Sequence, residues 1–472
     1  MAPATTLTMV DGVRVVAPDS LDLITTYVLR EQQDWFEDEI KFLRRLLQPG
    51  QRVIDIGANY GVYTLSMAKV VGPEGRIWAF EPASATARML AAGIAANGFG
   101  QVSLQQCAVS SQAGSAQLSL HENAELNALQ HGGEDGGASE TVPVVSLDES
   151  VETLGLHGID FVKIDAEGEE MNILRGAARF LAAQSPLLQY EIKVDGKPRL
   201  ELAQAFAALG YHSYRLVPGL DLLVPFDAAA PVDEFQLNLF CCKGDQAARL
   251  AARGLLLEQP LDAQQFAARR RGGFFSRFKT PDRYDWRNAL GQLPYAQALA
   301  ADWRKTVAAG RSSEAVQALS LYAIAQDAAL DAAQRYAALQ ASLLVQQALC
   351  ASRPGYLRRA TLARVAREHG SRMLAVGTLH QLRDQILQEH RMDPGEPFLP
   401  PGTRFDTVVP GPDIGRWICA ATLEELERNS AFSSYYAGTA ALQDLQNIES
   451  LGFAGAEMQR RLELVRLRYG AT

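Results

Sequence analysis

Apolar and polar residues follow two alternating periods along the first half of the chain. Short apolar runs typical of buried strands cover 52–57, 76–82, 102–109, 160–166, 187–192 and 237–243. Between them, apolar residues recur at helical spacing near 60–70, 84–97, 168–183 and 199–209. Strands that alternate with helices predict an α/β fold, a Rossmann-like and mostly parallel sheet with helices on both faces.

Two segments lie outside this alternation. Residues 1–50 end in an apolar pattern of helical spacing that Pro49-Gly50 stops, so we expect an N-terminal helical cap over 1–50. The connection 110–158 is too long for a simple crossover, and its sequence predicts two short strands around a Gly-rich tip, HGGEDGGASE. Long connections of this kind often cover a binding site.

The pattern changes after the α/β region, which we place at 51–245. Residues 246–288 contain the basic, Gly-interrupted stretch RRRGGFFSRFK and are interpreted as a linker. Residues 289–472 are rich in Ala, Leu, Gln and Arg and predict a separate α-helical domain, interrupted by a Pro/Gly loop at 392–417. Such a domain suits a homo-oligomer contact or a protein partner, and selection of a large acceptor is an alternative. The basic stretch could touch an anionic membrane, but its two glycines favour a solvated linker.

Composition narrows the class of protein. A net charge of −9 argues against nonspecific binding to nucleic acid, which needs a cationic face. Five scattered cysteines without a metal-binding pair indicate buried thiols in a reducing compartment. The start of the chain lacks the pattern of a secretion signal, and no apolar run reaches the roughly 20 residues of a transmembrane helix. We therefore expect a cytoplasmic protein.

The first strand ends in VIDIGANYGVYT, an acid followed by a glycine turn. Gly57 and Gly61 permit a tight turn and a close approach of a ligand to the backbone. A dinucleotide fingerprint reads GxGxxG, and Asn59 stands where its second glycine would be, which disfavours a nicotinamide oxidoreductase. Asp55 favours a cationic ligand over a phosphate, and S-adenosylmethionine carries an ammonium and a sulfonium. The candidate cofactor-binding residues of this motif are Asp55, Gly57, Asn59, Gly61 and Tyr63.

The next two strands supply further cofactor-binding candidates. Glu81 ends the second strand, 26 residues after Asp55, where a carboxylate can accept hydrogen bonds from both ribose hydroxyls of a nucleoside cofactor. The third strand ends in small apolar residues that either flank an adenine or belong to the plain core: Cys107, Ala108 and Val109.

The fourth and fifth strands bring carboxylates to the same edge of the sheet. Asp165 and Glu167 follow the fourth strand in DFVKIDAEGEEMNILRGA, and Glu191 ends the fifth. Three carboxylates at one edge could be a general base with helpers, a metal site or helix caps, and for the base we rank them. Asp165 is the leading candidate, before Glu191 and Glu167. Glu167 is alternatively a helix cap, and His121 on the long connection is either another base or a solvated loop residue.

Four motifs together resemble the FkbM family of S-adenosylmethionine-dependent methyltransferases: VIDIGANYGVYTLSMAK, FEP, VSLDE and DFVKIDAEGEEMNILRGA. The resemblance covers about residues 35–243. It implies a class I methyltransferase fold and O-methylation of a hydroxyl on a sugar, glycan or related metabolite, with S-adenosylmethionine as cofactor. We assign no metal site, although the three carboxylates could hold Mg²⁺. The alternative function is a non-catalytic scaffold whose helical half binds a partner.

Overall fold

The computed structural model describes residues 3–130, 137–194, 197–271, 284–308, 313–389 and 395–470. The chain divides into two compact units. The first comprises Met1–Leu216, Pro225–Val232 and Gln236–Arg253, and the second comprises Val217–Val224, Asp233–Phe235 and Gly254–Thr472.

The described residues form 16 strands, and all but one of them lie mainly in the first unit. They are β1 (Ala4–Thr8), β2 (Arg14–Pro18), β3 (Arg52–Ile56), β4 (Arg76–Phe80), β5 (Val102–Gln105), β6 (Ala108–Val109), β7 (Gly114–Ser119), β8 (Ala128–Leu129), β9 (Ser139–Val145), β10 (Phe161–Ile164), β11 (Leu187–Glu191), β12 (Lys193–Val194), β13 (Lys197–Pro198), β14 (His212–Val217), β15 (Leu222–Pro225), which lies largely in the second unit, and β16 (Asn238–Cys242).

Nine helices of this unit lie between the strands. They are α1 (Ile24–Gln32), α2 (Asp38–Leu46), α3 (Val62–Val71), α4 (Ser84–Asn97), α5 (Leu147–Leu154), α6 (Glu170–Arg175), α7 (Ala178–Ala183), α8 (Leu200–Ala208) and α9 (Gly244–Ala252). This count refers to the described residues alone.

Seven strands of the first unit form one sheet in the order β14-β16-β11-β10-β3-β4-β5. Strand β16 runs antiparallel to β14 and β11, whereas the remaining neighbours are parallel. The chain proceeds outward from β3 to β5 and then returns to β10 on the other side of β3. The carboxyl ends of β3 and β10 therefore flank a topological switch point, where open α/β sheets bind their ligands.

The apolar runs predict the strands of this sheet well because their side chains form its core. Ile54, Ile56, Val162 and Ile164 alternate along the two central strands and are almost completely buried. Strand β5 has only partly buried residues, as expected at the edge of a sheet. The predicted mostly parallel α/β sheet is confirmed.

Three details of the prediction are wrong. Residues 1–50 begin with the antiparallel hairpin β1-β2 before the helices α1 and α2, so the segment is not a purely helical cap. The expected strand 102–109 breaks at Gln106-Cys107 into β5 and β6, which belong to different sheets. The expected helix 168–183 is two short helices that are separated at Gly176-Ala177, where the backbone of Gly176 also packs against that of Ser110.

The long connection forms a second sheet. Strands β6, β7, β8 and β9 pair in the order β6-β9-β7-β8, around the buried side chains of Leu118, Val142 and Val144. The two short strands expected in this connection correspond to β7 and β9, which pair antiparallel. Part of the Gly-rich tip, residues 131–136, lies outside the described residues.

The second unit is helical apart from β15 in its described part. Its helices are α10 (Ala263–Arg271), α11 (Trp286–Leu290), α12 (Pro294–Ala308), α13 (Ser313–Ala325), α14 (Ala332–Ser352), α15 (Tyr356–His369), α16 (Arg372–Glu389), α17 (Ile414–Ser430), α18 (Ser434–Ala437), α19 (Ala441–Ser450) and α20 (Ala456–Tyr469). The helical second half is confirmed.

The core of the second unit is aromatic. Tyr295 stacks on Trp417 at a centroid distance of 5.6 Å, and Trp303 and Phe398 meet Tyr295 edge to face. The Tyr295 hydroxyl donates to the carbonyl of Phe398, 2.6 Å away, so this buried polar group is paired.

The boundaries of the predicted linker and loop differ from the structure. Helices α9 and α10 both fall within 246–288 or overlap it, so much of that segment is helical. The remainder of the basic stretch, residues 272–279, lies outside the described residues. The Pro/Gly loop ends before 417, since Asp413 caps α17 by accepting from the backbone N–H of Arg416. In the described part, no helix is long and apolar enough to cross a membrane.

Candidate active site

A cavity that is open to solvent lies at the carboxyl ends of β3, β4 and β10. Its wall also includes residues from α1, α3, the second sheet and the loop before α2. The position is the one that the switch point between β3 and β10 favours for ligand binding.

The glycine turn after β3 packs directly against the end of β10. Gly57 has a φ of +79°, and a Cβ built on it would lie 1.7 Å from the carbonyl oxygen of Asp165. Only glycine fits such an approach. Asn59 also takes a left-handed φ of +49°, which asparagine tolerates better than most residues, and its side chain accepts from the N–H of Tyr60.

Asp55 lies behind the cavity wall. Its side chain is completely buried and accepts a hydrogen bond from the Thr64 hydroxyl. Burial raises the pKa of Asp55, while the charge of Lys163 opposes that shift. Asp55 and Gly61 do not line the cavity, so they support the turn from within the fold. Gly61 is needed because a Cβ there would lie 2.3 Å from the Leu90 side chain.

Glu81 lines the cavity in a fixed orientation. Its two carboxylate oxygens accept from the backbone N–H groups of Asn59 and Ala83, each at 2.9 Å. Each oxygen keeps a further lone pair for a hydroxyl donor. Burial raises the pKa of Glu81 to about 7, although the two backbone hydrogen bonds favour its ionised form.

The second sheet and the break after β5 provide an apolar part of the wall. Cys107, Ala108 and Val109 line the cavity together with Leu118 and Leu129. Burial raises the pKa of Cys107 to about 11, so its thiol is neutral at ordinary pH. The arrangement offers a small, apolar surface suited to a flat ring.

Three carboxylates meet beyond the turn. Asp165, Glu167 and Glu191 each place an oxygen within 4.8 Å of the others. Burial, followed by the charge of Asp165, raises the pKa of Glu167 to about 8 and that of Glu191 to about 10. The structure thus brings the three predicted catalytic residues together, with Asp165 and Glu167 in the cavity wall and Glu191 behind it.

Glu170, and not Glu167, accepts hydrogen bonds from the backbone N–H groups that precede α6. Its carboxylate accepts from the N–H groups of Ala166 and Gly168, at 3.1 and 3.2 Å. Glu167 itself has a φ of +46°, a left-handed conformation that is uncommon for a glutamate. Strained backbone of this kind clusters at functional sites. This geometry favours a role for Glu167 in the cavity over a role as a helix cap.

Lys163 brings a positive charge to this acidic site. Its ammonium lies 2.6 Å from an oxygen of Asp165 and 4.7 Å from the centroid of the Tyr63 ring. The Tyr63 hydroxyl donates to Glu37 at 2.5 Å, and Asn238 and Trp35 also donate to that carboxylate. Burial raises the pKa of Glu37.

Sequence reasoning missed several residues of the cavity wall. Lys163 stands two residues before Asp165, so alternation along a strand would have placed both on one face. No local signal marks Trp35, Glu37 or Glu125, which reach the cavity from distant parts of the chain. The solvent-exposed His121 is not among the lining residues, and the structure does not support it as a base.

The seven-stranded order with one antiparallel strand is that of class I methyltransferases, and the cavity occupies the position in which such folds bind a cofactor. Residues 55–213 match the family described as "Methyltransferase FkbM domain". The chain therefore contains a methyltransferase FkbM domain.

Two curated relatives are similar to part of the chain. "Methyltransferase sdnD" of Sordaria araneosa is 28% identical, over 26% of this chain and 59% of its own. "Methyltransferase 1" of Beauveria bassiana is 26% identical, over 26% of this chain and 57% of its own. The chain thus spans somewhat more than half the length of these relatives.

Two solved structures are similar to 42–43% of this chain. The methyltransferase FkbM from Methylobacillus flagellatus KT is 17% identical, with 42% of this chain and 45% of that chain covered and a TM-score of 0.29. An O-methyltransferase from Bacillus cereus, solved in complex with SAH, is 14% identical over 43% of this chain and 80% of its own, with a TM-score of 0.27.

Proposed function

We propose that the first unit is an S-adenosylmethionine-dependent O-methyltransferase that acts on a hydroxyl of a sugar, glycan or related metabolite. The observation that carries the proposal is the placement of Glu81 and Asp165 on either side of the glycine turn. They follow β4 and β10, the two neighbours of β3 in the sheet, and both line the same cavity. Strand spacing puts these positions roughly 10 Å apart.

The chemistry of the wall fits the cofactor. Glu81 has the free lone pairs to accept both ribose hydroxyls, and Cys107, Ala108 and Val109 form the apolar surface for the adenine. The acidic residues beyond the turn suit an ammonium and a sulfonium. When bound, S-adenosylmethionine supplies an electrophilic methyl group for in-line displacement.

Asp165 is the residue best placed to assist the acceptor. Its second carboxylate oxygen is not the one held by Lys163 and can take the proton from an acceptor hydroxyl as the new bond forms. Glu167 and Glu191 stand next to it, and burial together with the charge of Asp165 raises the pKa of both. In the proposed reaction the cavity wall holds acceptor and donor together.

The test has two steps on the purified full chain. Isothermal titration with S-adenosylmethionine and with S-adenosylhomocysteine measures cofactor binding first. Transfer of labelled methyl groups to extracts of cells lacking the protein, followed by mass spectrometry, then identifies a product heavier by one methylene. Absence of binding would refute the methyltransferase proposal and leave the non-catalytic scaffold.

Asp165→Asn tests the assignment of the base. We expect it to keep its affinity for S-adenosylhomocysteine within about threefold and to lose transfer by about 10²-fold or more. Asp245→Asn is the matched control, because this carboxylate binds the Ser185 hydroxyl outside the cavity. Full turnover by Asp165→Asn would remove the base assignment without affecting the rest of the proposal.

A further inference from the structure

Lys163 occupies an unusual position for a lysine. It lies within β10, between β3 and β11, and is paired in register with Asp55 on one side and Gln189 on the other. Its side chain is only 3% exposed. Central strands of parallel sheets are normally apolar, and a buried charge persists only where partners compensate its desolvation.

The partners of Lys163 hold the ammonium at one point. It donates to Asp165 at 2.6 Å, and the Tyr63 ring covers it at 4.7 Å. Tyr63 is in turn fixed by its hydrogen bond to Glu37. Burial alone would lower the pKa of Lys163, but Asp165 and then Asp55 outweigh it and raise the pKa above its ordinary value. The contact with Asp165 and the Tyr63 ring therefore favours the charged form of Lys163.

This cation stands where a divalent ion would have to bind. Asp165, Glu167 and Glu191 have the oxygen spacing of a possible Mg²⁺ site, yet one oxygen of Asp165 is already bound to the ammonium. A divalent ion on the same carboxylate would lie within a few ångströms of the ammonium, and two like charges that close repel strongly in a buried site. Lys163 and a metal are therefore competitors.

We propose that Lys163 is a positioning residue that serves as the built-in cation of this carboxylate cluster, orients Asp165 toward the cavity and makes the site independent of a divalent metal. The inference rests on the proposed function for its consequence in catalysis. The competition between Lys163 and a metal ion does not depend on the cofactor or the acceptor.

The experiment uses Mn²⁺ as the probe, with binding measured by electron paramagnetic resonance on the full chain. We expect no saturable Mn²⁺ site in the wild type at up to about millimolar metal. Lys163→Met, which keeps the length of the side chain but removes its charge, should bind Mn²⁺ about tenfold more tightly or better. The double variant Lys163→Met/Asp165→Asn should lose the gain.

Two further variants separate charge from packing. Lys163→Arg keeps the cation and should stay without Mn²⁺ binding. Lys243→Met is the matched control, because Lys243 also lies over a tyrosine ring, at 5.1 Å from Tyr211, but donates to backbone carbonyls and not to a carboxylate. Its removal should leave Mn²⁺ binding unchanged.

Two outcomes would contradict the role inferred for Lys163, and a third would contradict the proposed function. A saturable Mn²⁺ site in the wild type that Asp165→Asn abolishes would overturn it, and that measurement does not require Lys163→Met to fold. A folded Lys163→Met that binds Mn²⁺ no better than the wild type would overturn it as well. Failure of the wild type to bind S-adenosylhomocysteine would refute the proposed function instead, while the Mn²⁺ comparison would still judge the role of Lys163.

Discussion

Gly57→Ala tests the contact that joins the cofactor turn to the end of β10. The added Cβ would lie 1.7 Å from the carbonyl oxygen of Asp165, whereas non-bonded heavy atoms prefer a separation of about 3.5 Å. Neither side yields easily, because the N–H groups of Gly57 and Ala58 both donate to the Phe80 carbonyl. Relief of the clash therefore requires β3 and β10 to separate by more than 1 Å at their carboxyl ends.

The expected cost has two parts that a control can separate. A left-handed φ costs an L-residue about 1–2 kcal/mol relative to glycine. Gly98 has a φ of +69° and nothing within 4 Å of a Cβ, so Gly98→Ala carries this part alone. Gly57→Ala adds the clash, and we expect a total loss of about 4 kcal/mol or more, which is in the range of severe core changes.

Hydrogen exchange followed by mass spectrometry measures this loss locally. Peptides that span 52–57 and 160–165 should lose protection in Gly57→Ala and keep it in Gly98→Ala. The affinity for S-adenosylhomocysteine should fall only in Gly57→Ala, since Gly57 and Asp165 line the cavity. Equal protection and equal affinity in the two variants would show that the turn does not press on β10.

Two other predictions follow from buried charges. Because burial raises the pKa of Glu81 to about 7, its ionised form dominates above pH 7 and is lost below it. Titration calorimetry should therefore show that S-adenosylhomocysteine binding weakens from pH 8 to pH 6, by up to about tenfold per pH unit. Glu81→Gln should bind weakly at every pH and show little of this pH dependence. Arg461 is almost fully buried and pairs with Glu427 and Glu457 at 3.3 and 3.0 Å, so Arg461→Met should cost about 3–5 kcal/mol in calorimetric unfolding. The control is Arg466, whose ion pair with Glu449 is exposed, and Arg466→Met should cost under about 1 kcal/mol. Equal losses of unfolding free energy for the two arginine variants would contradict the second prediction. A pH dependence of binding retained in Glu81→Gln would contradict the first.

The sheet could be predicted because its signal is local. Residues 53–56 and 161–164 are continuous apolar runs apart from Asp55 and Lys163, and glycine turns mark where they end. The hairpin β1-β2 could not be recognised, because its first strand is mostly exposed and has no apolar face to reveal it. The break between β5 and β6 depends on Ala108 pairing with Val144, a contact between distant residues.

The site was predicted as far as it lies on strand ends. Glu81, Asp165 and Glu167 follow β4 and β10 and reach the cavity as expected, since parallel strands deliver their carboxyl ends to one edge. Trp35 and Glu37 arrive from a loop before α2 that no periodicity connects to the sheet. Their place depends on contacts such as that of Glu37 with Asn238, about 200 residues away.

Asp55 shows why residue type alone does not define a role in the site. An acid at the end of a buried strand suggests a direct contact with a cationic ligand, but the structure buries it completely and pairs it with Thr64. Its positively charged neighbour is Lys163, which is its partner in register on β10, and not a ligand in the cavity. Two charged residues within adjacent central strands are each costly alone and tolerable together. The acid of the first motif and the lysine of the fourth are therefore one structural unit, and of the two aspartates beside Lys163 it is Asp165 that lines the cavity.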